Sequence, residues 1–252
     1  MKTRTLFLIF SLFACSAIGQ NDSISADTIR HGHKNVVKFL PVNLFFNSAS
    51  FEYERKISPK NSLILGVGIP MPKAFADKYN LGSPENRITD DSFGTMAIRL
   101  AYRHYSGHSK QPSGFYISPY LKYQSFDATA TNHKTSNSGG SQYVENYDLK
   151  GNTMSLGFQM GWQFLIAKTV SIDFYFLGIE AGLANVDATV KSPDANMIDE
   201  IYTNVSQNIG DLPAFLSNKI TVTKTGSNQV DIVGSSMPYP WLRSGISIGI
   251  AF

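Results

Sequence analysis

The sequence predicts an all-β fold: an antiparallel up-and-down transmembrane β-barrel, of eight strands, with long external loops. Three observations predict it. Apolar residues recur at period two, the spacing of a strand with one greasy face, through eight segments of the chain. The opposite face of those segments is small and polar. The connections between them alternate between short and long. The composition agrees, since only 16% of the 252 residues are charged while 12% are aromatic, a balance that favours strands. The length suits a single domain.

The segments follow in order. "KFLPVNLFF" places Leu40, Val42, Leu44 and Phe46 on one face. "SFEYERKI" sets Phe51 and Tyr53 against Glu52 and Glu54. "SLILGVGI" sets Leu63, Leu65, Val67 and Ile69 against Ser62, Gly66 and Gly68. In "TMAIRLAYR", Met96, Ile98, Leu100 and Tyr102 oppose Ala97, Arg99, Ala101 and Arg103. "FYISPYLKYQ" places Ile117, Leu121 and Tyr123 opposite Tyr116, Ser118, Tyr120 and Lys122. "MSLGFQMGWQF" alternates without a break from Met154 to Phe164. "VSIDFYF" sets Val170, Ile172, Phe174 and Phe176 against Ser171, Asp173 and Tyr175. The apolar parity then switches to Leu177, Ile179, Ala181 and Leu183, which either a β-bulge near Leu177-Gly178 or two shorter strands would produce. The closing segment, "LRSGISIGIAF", aligns Leu242, Ile246, Ile248, Ile250 and Phe252.

Connections after the second, fourth and sixth segments are short ("SPKN", "HYSGHSKQPSG", "LIAKT"). Those after the third, fifth and seventh are long, while "NSA" after the first is the exception. Antiparallel strands send the two sets to opposite ends, the asymmetry of membrane barrels with short periplasmic turns and long outer loops. In the last long connection, Met197, Ile198, Ile201, Val205 and Ile209 recur at helical spacing behind a capping Asp194, with Pro213 as terminator. "KITVTKT" and "QVDIVGS" read as a hairpin around "GSN", and "GSSMPYP" as loop. This connection is expected to form a small helix-and-hairpin cap.

The chain opens with "MKTRTLFLIFSLFACSAIGQ", which reads as a signal peptide over residues 1–19. Lys2 and Arg4 precede the apolar run Leu6–Ala14, and Ala17-Ile18-Gly19 is a small-x-small site with cleavage before Gln20. Lipidation at Cys15 is the alternative, against which Phe13 fits poorly. Cleavage removes the only cysteine and takes the net charge from +3 to +1. A near-neutral exported chain gives no argument for nucleic acid. Residues 20–35 read as a flexible lead-in and 36–252 as the barrel.

Inside a barrel of eight strands the lumen is just wide enough for side chains to fill. Glu52, Glu54, Arg99, Arg103, Lys122 and Asp173 fall on its inner face. Both signs are present, so the expectation is an ion-pair plug, with a narrow ion path as the rival. Two aromatic girdles are expected: Tyr102, Trp162, Phe164 and Phe252 at the periplasmic rim, Phe46 and Tyr123 at the outer rim.

A terminal strand carrying Ile246, Ile248, Ile250 and Phe252, on an exported chain, resembles the small outer-membrane β-barrel proteins of Gram-negative bacteria. The resemblance covers about Val36 to Phe252 and rests on "GISIGIAF". It implies residence in the cell outer membrane, contact with outer-membrane lipid, closure of the barrel by that strand, and its reading by the barrel-assembly machinery. Some members of this group are lipid A deacylases or acyltransferases that use a histidine and a serine near the outer leaflet. Here only His133 lies on that side, in a polar loop. His31 and His33 sit in the lead-in, and His104 and His108 in a short turn. No metal site, cofactor or catalytic set is expected. The reading is a non-enzymatic barrel with a structural or cell-surface interaction role carried by its external loops. The alternatives are a lipid A-modifying barrel, a narrow solute- or ion-handling barrel, and a soluble periplasmic β-carrier.

Overall fold

The structure is a computed structural model that describes residues 32–71, 87–109, 111–135 and 142–252. The segment expected to be a signal peptide, with Lys2, Arg4 and Cys15, the expected lead-in up to His31, and the side chains of Phe46 and His133 lie outside the described residues.

The elements in chain order are β1 (Asn35–Phe39), a 3-10 helix (Pro41–Phe46), β2 (Ser48–Lys56), β3 (Asn61–Pro70), β4 (Arg87–Tyr105), β5 (Gly114–Thr135), β6 (Gln142–Ile166), β7 (Val170–Lys191), α1 (Ala195–Gly210), α2 (Ala214–Ser217), β8 (Ile220–Thr225) and β9 (Gln229–Ala251). All pairings are antiparallel, in the order β1-β2-β3-β4-β5-β6-β7-β9, and β9 pairs back onto β1. The sheet therefore closes into a ring of eight strands, with β8 as a ninth that pairs with β9 outside the ring. One end, called the lower end here, carries Asn35, the seam with Phe252 and the short turns at Ile57–Lys60 and Ala167–Thr169.

Three expectations are corrected. The first strand stops at Phe39, and its faces are inverted: Val36 and Lys38 point inward and are fully buried, while Val37 is exposed. The cause is Pro41, which has no N–H to continue the ladder and a φ suited to the first helical position. The amide of Leu40 makes the last bond, to Ser50 at 3.0 Å, and the apolar run that follows coils into the 3-10 helix. Second, the long external connections are in large part strand. β5 and β6 pair continuously from Gly114↔Gln163 to Thr135↔Gln142, and β4 begins at Arg87. Third, the closing strand begins at Gln229, so "GSSMPYP" lies within β9, which bulges between Met237 and Gly234. The hairpin expected from "KITVTKT" and "QVDIVGS" is present as β8 and the start of β9, so β8 is a ninth strand on the β9 edge of the ring of eight.

The parity switch in β7 is a β-bulge within one strand. Met160↔Leu177 is followed by Gly161↔Tyr175, and Tyr175↔Gly245 by Gly178↔Arg243, so Phe176 and Leu177 hold the extra residue. The slip keeps both halves of β7 greasy side out. In the last connection α1 starts on Asp194, whose carboxylate accepts from the amides of Asn196 (3.0 Å) and Met197 (3.4 Å). Ile198 is its fully buried anchor, and α1 packs over β8 and β9. Pro213 starts α2. Gly226, at a φ of +69°, turns the chain between β8 and β9.

Asp231 ties this cap together. Its carboxylate accepts from Thr189 (2.9 Å), Thr225 (2.9 Å) and Gln229 (2.8 Å), joining β7, β8 and β9. Desolvation opposes its ionisation, but these donors and the Lys191 charge prevail and hold its pKa below the ordinary aspartate value of 3.8. A lowered carboxylate pKa stabilises the fold above the unfolded value and loses that contribution as pH falls through the folded one. Amide-exchange protection across β8 is therefore expected to stay level from neutral pH down to 3.8 and to decline below it. In Asp231→Asn, protection should be lower at neutral pH and lack that acid step.

Candidate functional site: the barrel lumen

The alternation of the strands sorts chemistry into two populations. Outward positions are apolar and exposed, among them Leu100, Leu156, Ile179, Leu242 and Ile250. Inward positions are polar and buried, among them Lys38, Glu54, Arg103, Gln163 and Asp173, each at most 1% exposed.

The structure places Glu52, Glu54, Arg99, Arg103, Lys122 and Asp173 on the inner face, and every one of them is in an ion pair. They fall into two clusters. In the lower cluster, Lys38 Nζ lies 2.6 Å from Glu54 and 2.9 Å from Asp173. Arg103 Nη1 lies 2.9 Å from Asp173 and 3.4 Å from Glu54. Two cations thus share two carboxylates. The remaining lone pairs are filled by hydroxyls: Tyr105 donates to Glu54 at 2.6 Å, Tyr116 to Asp173 at 2.8 Å, and Ser62 also donates to Glu54. The Arg103 guanidinium stacks 3.6 Å from the centre of the Tyr116 ring. These groups meet across the lumen between β1, β2, β4, β5 and β7.

Gln159 connects the clusters, donating to Tyr116 at 3.0 Å and accepting from Arg99 at 3.1 Å. In the upper cluster Arg99 pairs with Glu52, and Lys122 lies 2.7 Å from Glu180. Ser155 (2.6 Å) and Tyr120 (3.1 Å) also donate to Glu180. Arg243 completes this cluster, 5.4 Å from the Tyr120 ring and 5.0 Å from that of Tyr175. The upper cluster holds three cations and two carboxylates.

Lumen tyrosines lie flat because the facing residue is glycine. Tyr120 pairs with Gly157 and Tyr175 with Gly245. A Cβ on Gly157 would come within 2.1 Å of the Tyr120 ring, and one on Gly245 within 2.3 Å of the Tyr175 hydroxyl.

Lys38, Glu180, Gln163 and the lumen tyrosines join this site without having been singled out in the sequence. Ile248 and Ile250 of β9 pair with Phe39 and Val37 of β1, Ile246 pairs with Phe174 of β7, and Phe252 exchanges backbone bonds with Asn35. Tyr102, Trp162, Phe164 and Phe252 are all exposed towards the lower end, with Trp162 and Phe164 stacked at 6.0 Å. At the upper rim Tyr123 is exposed, and on the inner parity of β9 Tyr239 and Trp241 stack at 5.9 Å. His104 Nδ1 lies 2.7 Å from Asn61 Oδ1, His108 is exposed in its turn, and His33 precedes β1. Among the described residues no three metal-ligating side chains converge.

Breaking a buried ion pair from one side leaves the partner's charge uncompensated, at a cost of roughly 3–5 kcal/mol. Glu54→Gln should therefore lower the urea stability of the refolded barrel by about that much. Adding Lys38→Met to it should recover part of the loss, since the cluster is balanced again.

No protein-family model, no curated protein and no solved structure matches the chain.

Proposed function

We propose that the protein is a transmembrane barrel of a bacterial outer membrane, exported by its N-terminal signal, with a structural and cell-surface interaction role and no catalysis of its own. The observation that carries this reading is the level at which the outer face changes character. On β6 it runs Phe164, Trp162, Met160, Phe158, Leu156, Met154 and then turns to Asn152, Lys150 and Asp148. On β7 it runs up to Leu183 and turns to Asn185 and Asp187; on β5 it runs up to Tyr123 and turns to Ser125 and Asp127. Tyr123 pairs with Met154, and Met154 with Leu183, so the boundary passes from strand to strand.

A belt of this extent far exceeds the few hundred Å² of contiguous apolar surface usual on a soluble monomer. Its height on β6, Met154 to Phe164, matches the ~9–11 residues of a tilted membrane-spanning strand. Hydrocarbon accepts strands where a barrel pairs their backbone groups. The upper parts of β4–β9 and the cap are then the region offered to partners outside the cell. Lipid surrounds the belt, and the barrel-assembly machinery is the partner for insertion.

The protein is expected in the membrane fraction and to require detergent or lipid to remain monodisperse. A monodisperse species in plain buffer would remove the membrane reading. Protease added to intact cells should cut at the upper connections, including residues 136–141, and spare the turns at Ile57–Lys60 and Ala167–Thr169. In planar bilayers the packed lower cluster should give no steady conductance, whereas a well-defined unitary current would replace the plug with an ion path.

A further inference from the structure

The wall of the barrel has a break. On its β1 side, β9 pairs with β1 from Ile248 to Ala251 and with β8 from Gln229 to Gly234. Between Ser236 and Ser247 that edge has no strand partner among the described residues. The amide of Ala251 donates to Thr169 on the β7 side and that of Phe252 to Asn35 on the β1 side. Alternation therefore directs the backbone of even-numbered residues to the open edge. Two of these are Pro238 and Pro240, which present no N–H there. The 3-10 helix, in place of a strand, stands opposite.

A cavity of about 340 Å³ lies at this break. It is bounded by inward residues of β9 (Tyr239, Trp241, Arg243) and also by outward ones (Leu242, Ser244). Leu242 and Ser244 belong to the outward set, so the cavity reaches the open edge of β9 itself. Its inner end holds Lys122 and Arg243. Lys122 is paired with Glu180, while Arg243, half-buried, has no carboxylate within salt-bridge distance among the described residues. Thr95 also lines the cavity; it is 4% exposed, and its hydroxyl has no hydrogen-bond partner. The outer end is Leu242, 70% exposed at the height of the apolar belt, beside Trp241.

We propose that this break is a lateral port that admits a single-chain anionic amphiphile from the bilayer. Its carboxylate or phosphate head sits between Arg243 and Thr95, and its acyl chain leaves past Leu242. A guanidinium whose near neighbours are the Tyr120 and Tyr175 rings, with no carboxylate at salt-bridge distance, and a free hydroxyl donor suit an oxyanion, and the volume is at the small end of ligand pockets, which start at about 300 Å³. The inference rests on the membrane reading for the source of its ligand.

Trp241 reports on the site, because the chain has two tryptophans and Trp162→Phe leaves it alone. This variant, in phosphatidylcholine nanodiscs, is titrated with chain-brominated dodecanoate, the matching dodecyl phosphate, and the dodecanoate methyl ester. The expected result is saturable quenching by one or both acids and only a shallow linear response to the ester. Arg243→Gln should weaken the saturable phase on the order of tenfold or more. Ala97→Phe, which fills the cavity without touching a charge, should abolish it. The acid that saturates identifies the head chemistry. Linear quenching that is the same for acids and ester overturns the port, as does saturation that survives both substitutions. Should the protein hold in plain buffer, the same titration is run there; saturation then keeps the pocket while the membrane reading falls.

Discussion

A sheet that closes on itself has no free edge only if its last strand finds its first, and in this barrel the two share four residue pairs. The β2–β3 ladder has nine. Everything said about an apolar exterior depends on this seam, since an open edge in hydrocarbon would leave a row of backbone groups without partners. The seam is reinforced from inside. Lys38, in the middle of β1, reaches Glu54 on β2 and Asp173 on β7. The second of these contacts passes over β9 and ties β1 directly to the next strand round the ring. Backbone exchange between Asn35 and Phe252, at 3.1 and 2.9 Å, secures the lower end.

The charged lumen follows from the same closure. Once the outer face is apolar, period-two alternation leaves the inner face as the only place for polar side chains, and an eight-stranded cylinder is too narrow to solvate them. Buried charges then have to satisfy one another. In the lower cluster Glu54 and Asp173 each meet both Lys38 and Arg103, and a hydroxyl donates to each carboxylate. Glycines opposite Tyr120 and Tyr175 let large rings lie across the lumen where a Cβ would collide with them. Small inner residues and bulky tyrosines are two halves of one packing solution.

The belt was legible in the sequence because one face there is apolar and the other polar. That contrast gave the inward set Glu52, Glu54, Arg99, Arg103, Lys122 and Asp173 by parity alone. It fails above the belt, where the outer face is polar as well. "DATATNHKT" and "QYVENYDLKGN" are strands with no apolar stripe, so they read as loops although Thr135↔Gln142 closes a long hairpin. Lys38 was hidden for a different reason. The apolar run from Leu40 to Phe46 gave its segment the wrong parity, and a proline had to be weighed as a strand terminator rather than passed over. Arg243 fell on the inner parity, but nothing in a single sequence distinguishes a paired lumen cation from one without a carboxylate.

Pro41 links the seam to the port. By ending β1 after five residues, it limits the ladder with β9 to the segment from Ile248 to Ala251 and leaves the edge above it open. A strand running on through Pro41 would lie beside Ile246 and Ser244 and occupy the break. An open edge at that height would normally strand amides in a region of low polarity, at a cost of a few kcal/mol each. Pro238 and Pro240 remove two of those amides from the same edge, and the 3-10 helix stands where a strand would otherwise pair. Prolines on both sides of the break are what an opening in the wall requires, whereas a ladder meant to close there would have no use for them.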